Sequence, residues 1–165
     1  MKLRTHLAIG AGVSSLLASF LISNMDSFTA LVFFAAVASL LPDIDSLFSP
    51  LFQNAHRSPL SHSLVGSVLL SSLIVAATIV IEQIAQVSLT GTDYLVILSV
   101  CLASCISHPL LDSLTIKGVV LLWPFSRRRY RGSVRYDNVI VNSFLVFLGL
   151  ALFTIALMRL TGYLF

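Results

Sequence analysis

Imidazole and carboxylate side chains, which can hold a divalent ion or move a proton, recur in short clusters along this chain. His108-Pro109-Leu110-Leu111-Asp112 sets one of each four residues apart. On a helix that spacing puts both on one face about one turn apart, and Thr115 continues the face if the helix does. Such a pair can chelate a divalent ion, can place the carboxylate behind a ligating imidazole, or can serve as a hydrogen-bonded helix end. Leu41-Pro42-Asp43-Ile44-Asp45 sets two acids around one apolar residue. Carboxylates held that close repel unless a cation lies near them or both stay solvated in a loop. His56-Arg57-Ser58-Pro59-Leu60-Ser61-His62 carries two histidines six apart, which a continuous helix would point to different faces. Pro59 biases Ser58 away from helix, so a loop can bring both rings to one centre. His6 stands near the N-terminus.

Two further groups have chemistry of their own. Ser126–Arg135 holds five arginines, Arg127, Arg128, Arg129, Arg131 and Arg135. They serve as a charge anchor on one side of a membrane, as forks for the phosphate of an anionic lipid or substrate, or as both. Cys101 and Cys105, the two cysteines, lie four apart in an apolar run, a spacing that fits small residues in a helix-packing seam and provides no disulfide framework.

The elements that must carry these residues follow from composition. Of 165 residues 57% are hydrophobic and 10% charged, and the mean hydropathy is +0.97. So few charges cannot cover the surface of a water-soluble domain of this size, so the outer solvent is lipid. A lipid-crossing helix needs about 20 mainly apolar residues. Five stretches qualify: Leu7–Ser23, Ser27–Leu41, Ser63–Ile81, Tyr94–Leu111 and Val139–Met158. The first could instead be a cleaved signal peptide, but Ala8, Gly10, Gly12 and Ser14 read as helix-packing residues. Ile116–Phe125 is apolar but too short to cross, and it reads as an interfacial or re-entrant segment with Trp123 at headgroup depth. The expected architecture is all-α: one polytopic transmembrane helical bundle over residues 1–165.

The net charge of +3 reads as topology before it reads as a nucleic-acid partner, and none is expected. Lys2, Arg4, Arg57, Lys117 and the five arginines fall on one side of the spans, against Arg159 alone on the other. The positive-inside rule then makes the N-terminus cytoplasmic. On that topology His6, Asp43, Asp45, His56, His62, His108 and Asp112 all lie at the cytoplasmic ends of spans or in cytoplasmic loops, in numbers suited to zinc or a similar metal. No span carries an acid or base near its centre, which argues against an ion transporter. A non-enzymatic module with a structural metal, or one that recruits a partner through the basic loop, stays open beside an enzyme.

The ordered set Thr5-His6, Leu41-Pro42-Asp43-Ile44-Asp45, His56-Arg57, Ser61-His62-Ser63, and Ser107-His108 leading to Asp112-Ser113-Leu114-Thr115 resembles the YdjM-like family of bacterial inner-membrane proteins. Gly118 and Leu122-Trp123-Pro124-Phe125 extend the similarity to about residue 136. The resemblance implies a LexA-regulated, membrane-bound, metal-dependent hydrolase of phospholipase-like type, acting on a membrane lipid or amphiphile. It implies His6, Asp43, His56, His62, His108 and Asp112 as metal-site residues. Asp45 is the expected non-ligating proton acceptor, and Arg127, Arg128, Arg129 and Arg131 are the expected headgroup contacts. Ser61 stands where the family pattern leads one to expect Thr. Ser46 stands where a further histidine is often found, which removes one ligand a second metal would need.

Overall fold

The computed structural model describes residues 1–44 and 58–164. Five helices account for most of it: α1 (Leu3–Leu21), α2 (Met25–Leu40), α3 (Leu64–Ala85), α4 (Gly91–Ser113) and α5 (Val139–Leu160), with a 3₁₀ turn over Leu41–Ile44. The all-α bundle is as expected. Met25–Ile44, Leu64–Ala85, Gly91–Ser113 and Val139–Leu160 are long and apolar enough to cross a membrane. α1, the fifth expected span, falls outside that group because its first turn carries Arg4 and His6 and its buried face is built of Thr5, Gly10, Gly12, Ser14, Ser15 and Ser19. α1 packs against α2, α4 and α5, and its small-residue face lies against protein. At the other extreme, only 17% of the α5 window is buried within the protein, as a lipid-facing span requires.

Local chemistry sets the helix starts. Asn24, Ser63 and Asn138 each accept a backbone N–H of the first turn on the side chain, from Ser27, Gly66 and Val141. Thr90 and Asp93 form a reciprocal capping box at α4. These caps satisfy donors that hydrocarbon could not. The second span, short by sequence, is completed at its far end, where Leu41 keeps a right-handed helical conformation and the chain tightens into the 3₁₀ turn despite Pro42.

Packing uses small residues and hydroxyls, the means available where lipid removes the hydrophobic drive between helices. A Cβ on Gly12 would lie 2.3 Å from the Gly149 carbonyl oxygen, and one on Gly149 would lie 2.3 Å from that of Ala8. Only glycine allows α1 and α5 to approach this closely. Ser14 donates to the Val100 carbonyl at 2.9 Å and Ser104 to that of Ala35 at 2.7 Å. The Cys105 thiol donates to the Ala38 carbonyl at 3.3 Å, and both cysteines are free and buried, as the seam reading expected.

Pro109 lies inside α4 and has no N–H to offer the Cys105 carbonyl one turn earlier. The Ser67 hydroxyl of α3 reaches that carbonyl at 3.2 Å, sharing its proton with the Ser63 carbonyl at 3.0 Å. The proline therefore frees the group that ties α3 to α4 near the end where His108 and Asp112 sit. Beyond α4 the chain turns back on itself, with bridges between Thr115 and Val134 and between Val119 and Tyr130, and the Leu64 N–H donates to the Leu121 carbonyl at 2.9 Å. The segment expected to be interfacial or re-entrant is thus one arm of a looped-back hairpin docked on the start of α3.

Candidate metal centre

Five expected site residues meet at one end of the bundle. His6 comes from the first turn of α1 and Asp43 from the 3₁₀ turn after α2. His62 immediately precedes the Ser63 cap of α3, and His108 and Asp112 lie one turn apart near the end of α4. The turn bearing His62 is closed by its backbone N–H donating to the Ser58 carbonyl at 3.0 Å. Gly66 lets it pack closely, since a Cβ there would meet the Leu60 carbonyl oxygen at 2.0 Å. Asp45 and His56 lie outside the described residues.

His6, His62, His108 and Asp112 are almost wholly buried, while the Asp43 side chain is 26% exposed and marks the open side. His6 Nε2 lies 3.4 Å from Asp112 Oδ1, and His108 Nε2 lies 3.4 Å from Asp43 Oδ1. His62 Nε2 lies 3.7 Å from Asp43 Oδ1 and 3.9 Å from Asp112 Oδ2. The His6 and His108 rings stack with centroids 3.7 Å apart, and His62 meets His108 edge-on at 5.1 Å. The Met1 amino group also pairs with Asp112 Oδ1.

The outer ring nitrogens decide what the inner ones can do. His108 Nδ1 lies 3.0 Å from the Ser39 carbonyl oxygen, which can only accept, so Nδ1 carries a proton. In the neutral imidazole Nε2 is then a bare lone pair, and it faces a carboxylate oxygen. His62 Nδ1 is hydrogen-bonded to the Ser61 hydroxyl at 2.9 Å, which leaves its Nε2 turned towards the same centre. His6 Nδ1 and Nε2 and His108 Nε2 are buried with no hydrogen-bond partner among the described residues. A bare lone pair facing a carboxylate oxygen in a buried site is repelled by it, and a shared cation removes the conflict. A tetrahedral ion with bonds of about 2.0–2.1 Å sets its ligand atoms about 3.3–3.4 Å apart, close to the shorter separations here. Two overlapping groups could hold a metal ion, His6 with His108 and Asp112, and Asp43 with His62 and His108. The donor set therefore fits a divalent ion, and the Ser39 carbonyl and Ser61 hydroxyl would orient two of its ligands.

Arg127, Arg128, Arg129 and Arg131 occupy the exposed far part of the hairpin. Arg129 donates to the Lys117 and Gly118 carbonyls at 3.3 and 3.4 Å, and Arg128 lies 5.7 Å over the Tyr130 ring. Arg135 is engaged by Asp137, both contacts being 3.2 Å, and its guanidinium holds the Asp137 carboxyl below its ordinary range. Arg159 sits at the opposite end of the bundle against Phe20, beside a cavity of about 390 Å³ whose lining includes none of the expected metal-site residues.

Sequence reasoning missed Asn142. Its buried amide oxygen accepts from the Thr5 hydroxyl at 2.7 Å and the Lys2 N–H at 3.2 Å. Its nitrogen donates to the Tyr136 and Asn138 carbonyls at 3.0 and 2.7 Å. This amide fixes the start of α1, and with it His6, against α5. An Asn near the start of an otherwise apolar span was the available signal.

No curated protein and no solved structure matches the chain. The family model described as YdjM inner membrane protein matches residues 1–164, and the chain belongs to that family.

Proposed function

We propose that this protein is a membrane-bound, metal-dependent hydrolase that cleaves a phosphoester of a lipid or amphiphile at the cytoplasmic face of the inner membrane. The observation that carries the reading is the tautomer of His108, fixed by the Ser39 carbonyl, which turns a bare Nε2 towards Asp43 within a cluster of three imidazoles and two carboxylates. His6, His62, His108 and Asp112 would hold the ion, with Asp43 as a further donor. Zinc is the metal the nitrogen-rich donor set favours. Such an ion supplies Lewis acidity, acidifying water and offsetting negative charge on the scissile group. The half-open position of Asp43 gives an approach for substrate, and Asp45 two residues on is the proton acceptor. Arg127, Arg128, Arg129 and Arg131 would hold an anionic headgroup. Lys2, Arg4 and the hairpin arginines share the site end, which the positive-inside rule assigns to the cytoplasm. Release of phosphate or headgroup from defined lipids by detergent-purified protein, with chelated and metal-restored samples compared, tests the reading.

A structural metal is the second reading, favoured by the depth of burial and by ligands drawn from α1, the turn before α3, and α4. Chelation separates the two: a structural ion takes the fold with it, whereas a catalytic ion takes the turnover and leaves helicity in place.

A further inference from the structure

A groove of about 570 Å³ runs between α1 and α4. Ile9 and Val13 form one wall, and Ala103, Ile106, Leu110 and Leu111 form most of the other. Its polar members offer an occupant little: the Ser107 hydroxyl donates to the Ser104 carbonyl at 2.7 Å and the Ser113 hydroxyl to the Leu110 carbonyl at 2.6 Å. A ligand lying there therefore meets hydrocarbon, with both hydroxyls turned to their own helix.

The groove is placed with respect to the metal cluster. From Ala103 to Leu114 it follows α4 for about 16 Å at 1.5 Å per residue, close to half of a hydrocarbon core of about 30 Å. It thus covers the depth of one leaflet, and that leaflet is the one at the site. Its upper end adjoins the cluster, since Leu111 precedes Asp112 and Ile9 lies one turn beyond His6. We infer that this groove holds one hydrocarbon chain of a membrane amphiphile drawn from the leaflet on the site's side, with the junction of chain and headgroup at the level of His6 and Asp112. The inference rests on the hydrolase reading for its purpose and deepens it: the substrate is a lipid taken laterally from the bilayer, and a water-soluble phosphoester lacks the part this groove recognises.

The test reconstitutes the full chain into phosphatidylethanolamine and phosphatidylglycerol vesicles doped with a phosphatidylglycerol that carries a photoactivatable diazirine in one acyl chain. Crosslinked peptides are mapped for the unaltered chain and for Ala103→Trp, which fills the groove at its deep end. Leu110→Trp narrows it from an exposed position and serves if the first variant does not fold. The expected result is labelling concentrated several-fold on the Ile9–Val13 and Ala103–Leu114 regions over α5, lost in the tryptophan variant while α5 labelling is unchanged. Even labelling of all lipid-facing helices, unaffected by the tryptophan, overturns the inference. Headgroup release is assayed in the same vesicles. Groove labelling without release removes the hydrolase reading and leaves the lipid site, whereas release without groove labelling does the reverse.

Discussion

His6 and His108 stack face to face, their ring centroids 3.7 Å apart and their planes within 9° of parallel. One ring comes from the start of α1 and the other from the end of α4, so the contact is made only when the bundle is assembled. Two stacked imidazoles share space poorly when both are charged, and each directs Nε2 towards a different carboxylate, Asp112 for His6 and Asp43 for His108. His108 belongs to both groups able to hold a metal, whereas His6 and His62 belong to one each.

That difference orders the histidine variants. His108→Ala should remove bound divalent metal, and His6→Ala and His62→Ala should weaken retention to a lesser degree, as read by metal content after dialysis against a graded chelator. Equal losses at all three positions would count against a shared ligand.

Asn142→Ala strips partners from the Thr5 hydroxyl and the Lys2 N–H, both against a buried amide. An unsatisfied buried polar group costs about 1–3 kcal/mol, and partners that orient ligands are worth about 10–100-fold in metal affinity. Metal affinity should fall towards the lower end of that range, with helicity kept. An unchanged affinity would mean that His6 is positioned without α5.

Ser67→Ala leaves the Cys105 carbonyl, released by Pro109, without its α3 donor. Interhelical hydrogen bonds in membranes are worth about 0.6 kcal/mol, reaching about 1.7. A loss of that size should appear in detergent unfolding. In a Pro109→Ala background, where the helix can supply its own N–H, the Ser67→Ala effect should shrink. Additive losses would show that the hydroxyl acts elsewhere.

Replacing Arg127, Arg128 and Arg131 with Gln should weaken binding of a short-chain anionic lipid to the detergent-purified chain by about 1 kcal/mol per residue and leave metal content unchanged, as calorimetric titration would measure. Arg129→Gln should also loosen the hairpin, because its guanidinium closes on the Lys117 and Gly118 carbonyls. Lipid binding that ignores all four changes would reduce these arginines to topological anchors.

Much of this was legible in the chain because lipid limits backbone structure to a few solutions. Apolar runs located α2 to α5 to within a few residues, and the His108–Asp112 spacing gave the shared face. The seam cysteines were readable from size and spacing. Partners supplied by the backbone were not: the Ser39 carbonyl that orients His108 has no side-chain signature, and nothing in residues 114–134 announces bridges that require two distant segments to meet. α1 was harder to class by composition because its buried face is built of small and polar residues, which lower its mean hydropathy. The distance between His6 and His108 is a tertiary property, so sequence could supply the residues and their common depth, and the packed helices supply the contact.

Whether the convergent imidazoles and carboxylates hold a divalent ion is read from elemental analysis of the detergent-purified chain beside His108→Asn and Asp112→Ala, with helicity and monodispersity checked on the same samples. The expected result is stoichiometric divalent metal in the unaltered chain, near-complete loss in both variants with the fold intact, and retention in Ser113→Ala. Folded His108→Asn and Asp112→Ala proteins that keep their full metal content would contradict it.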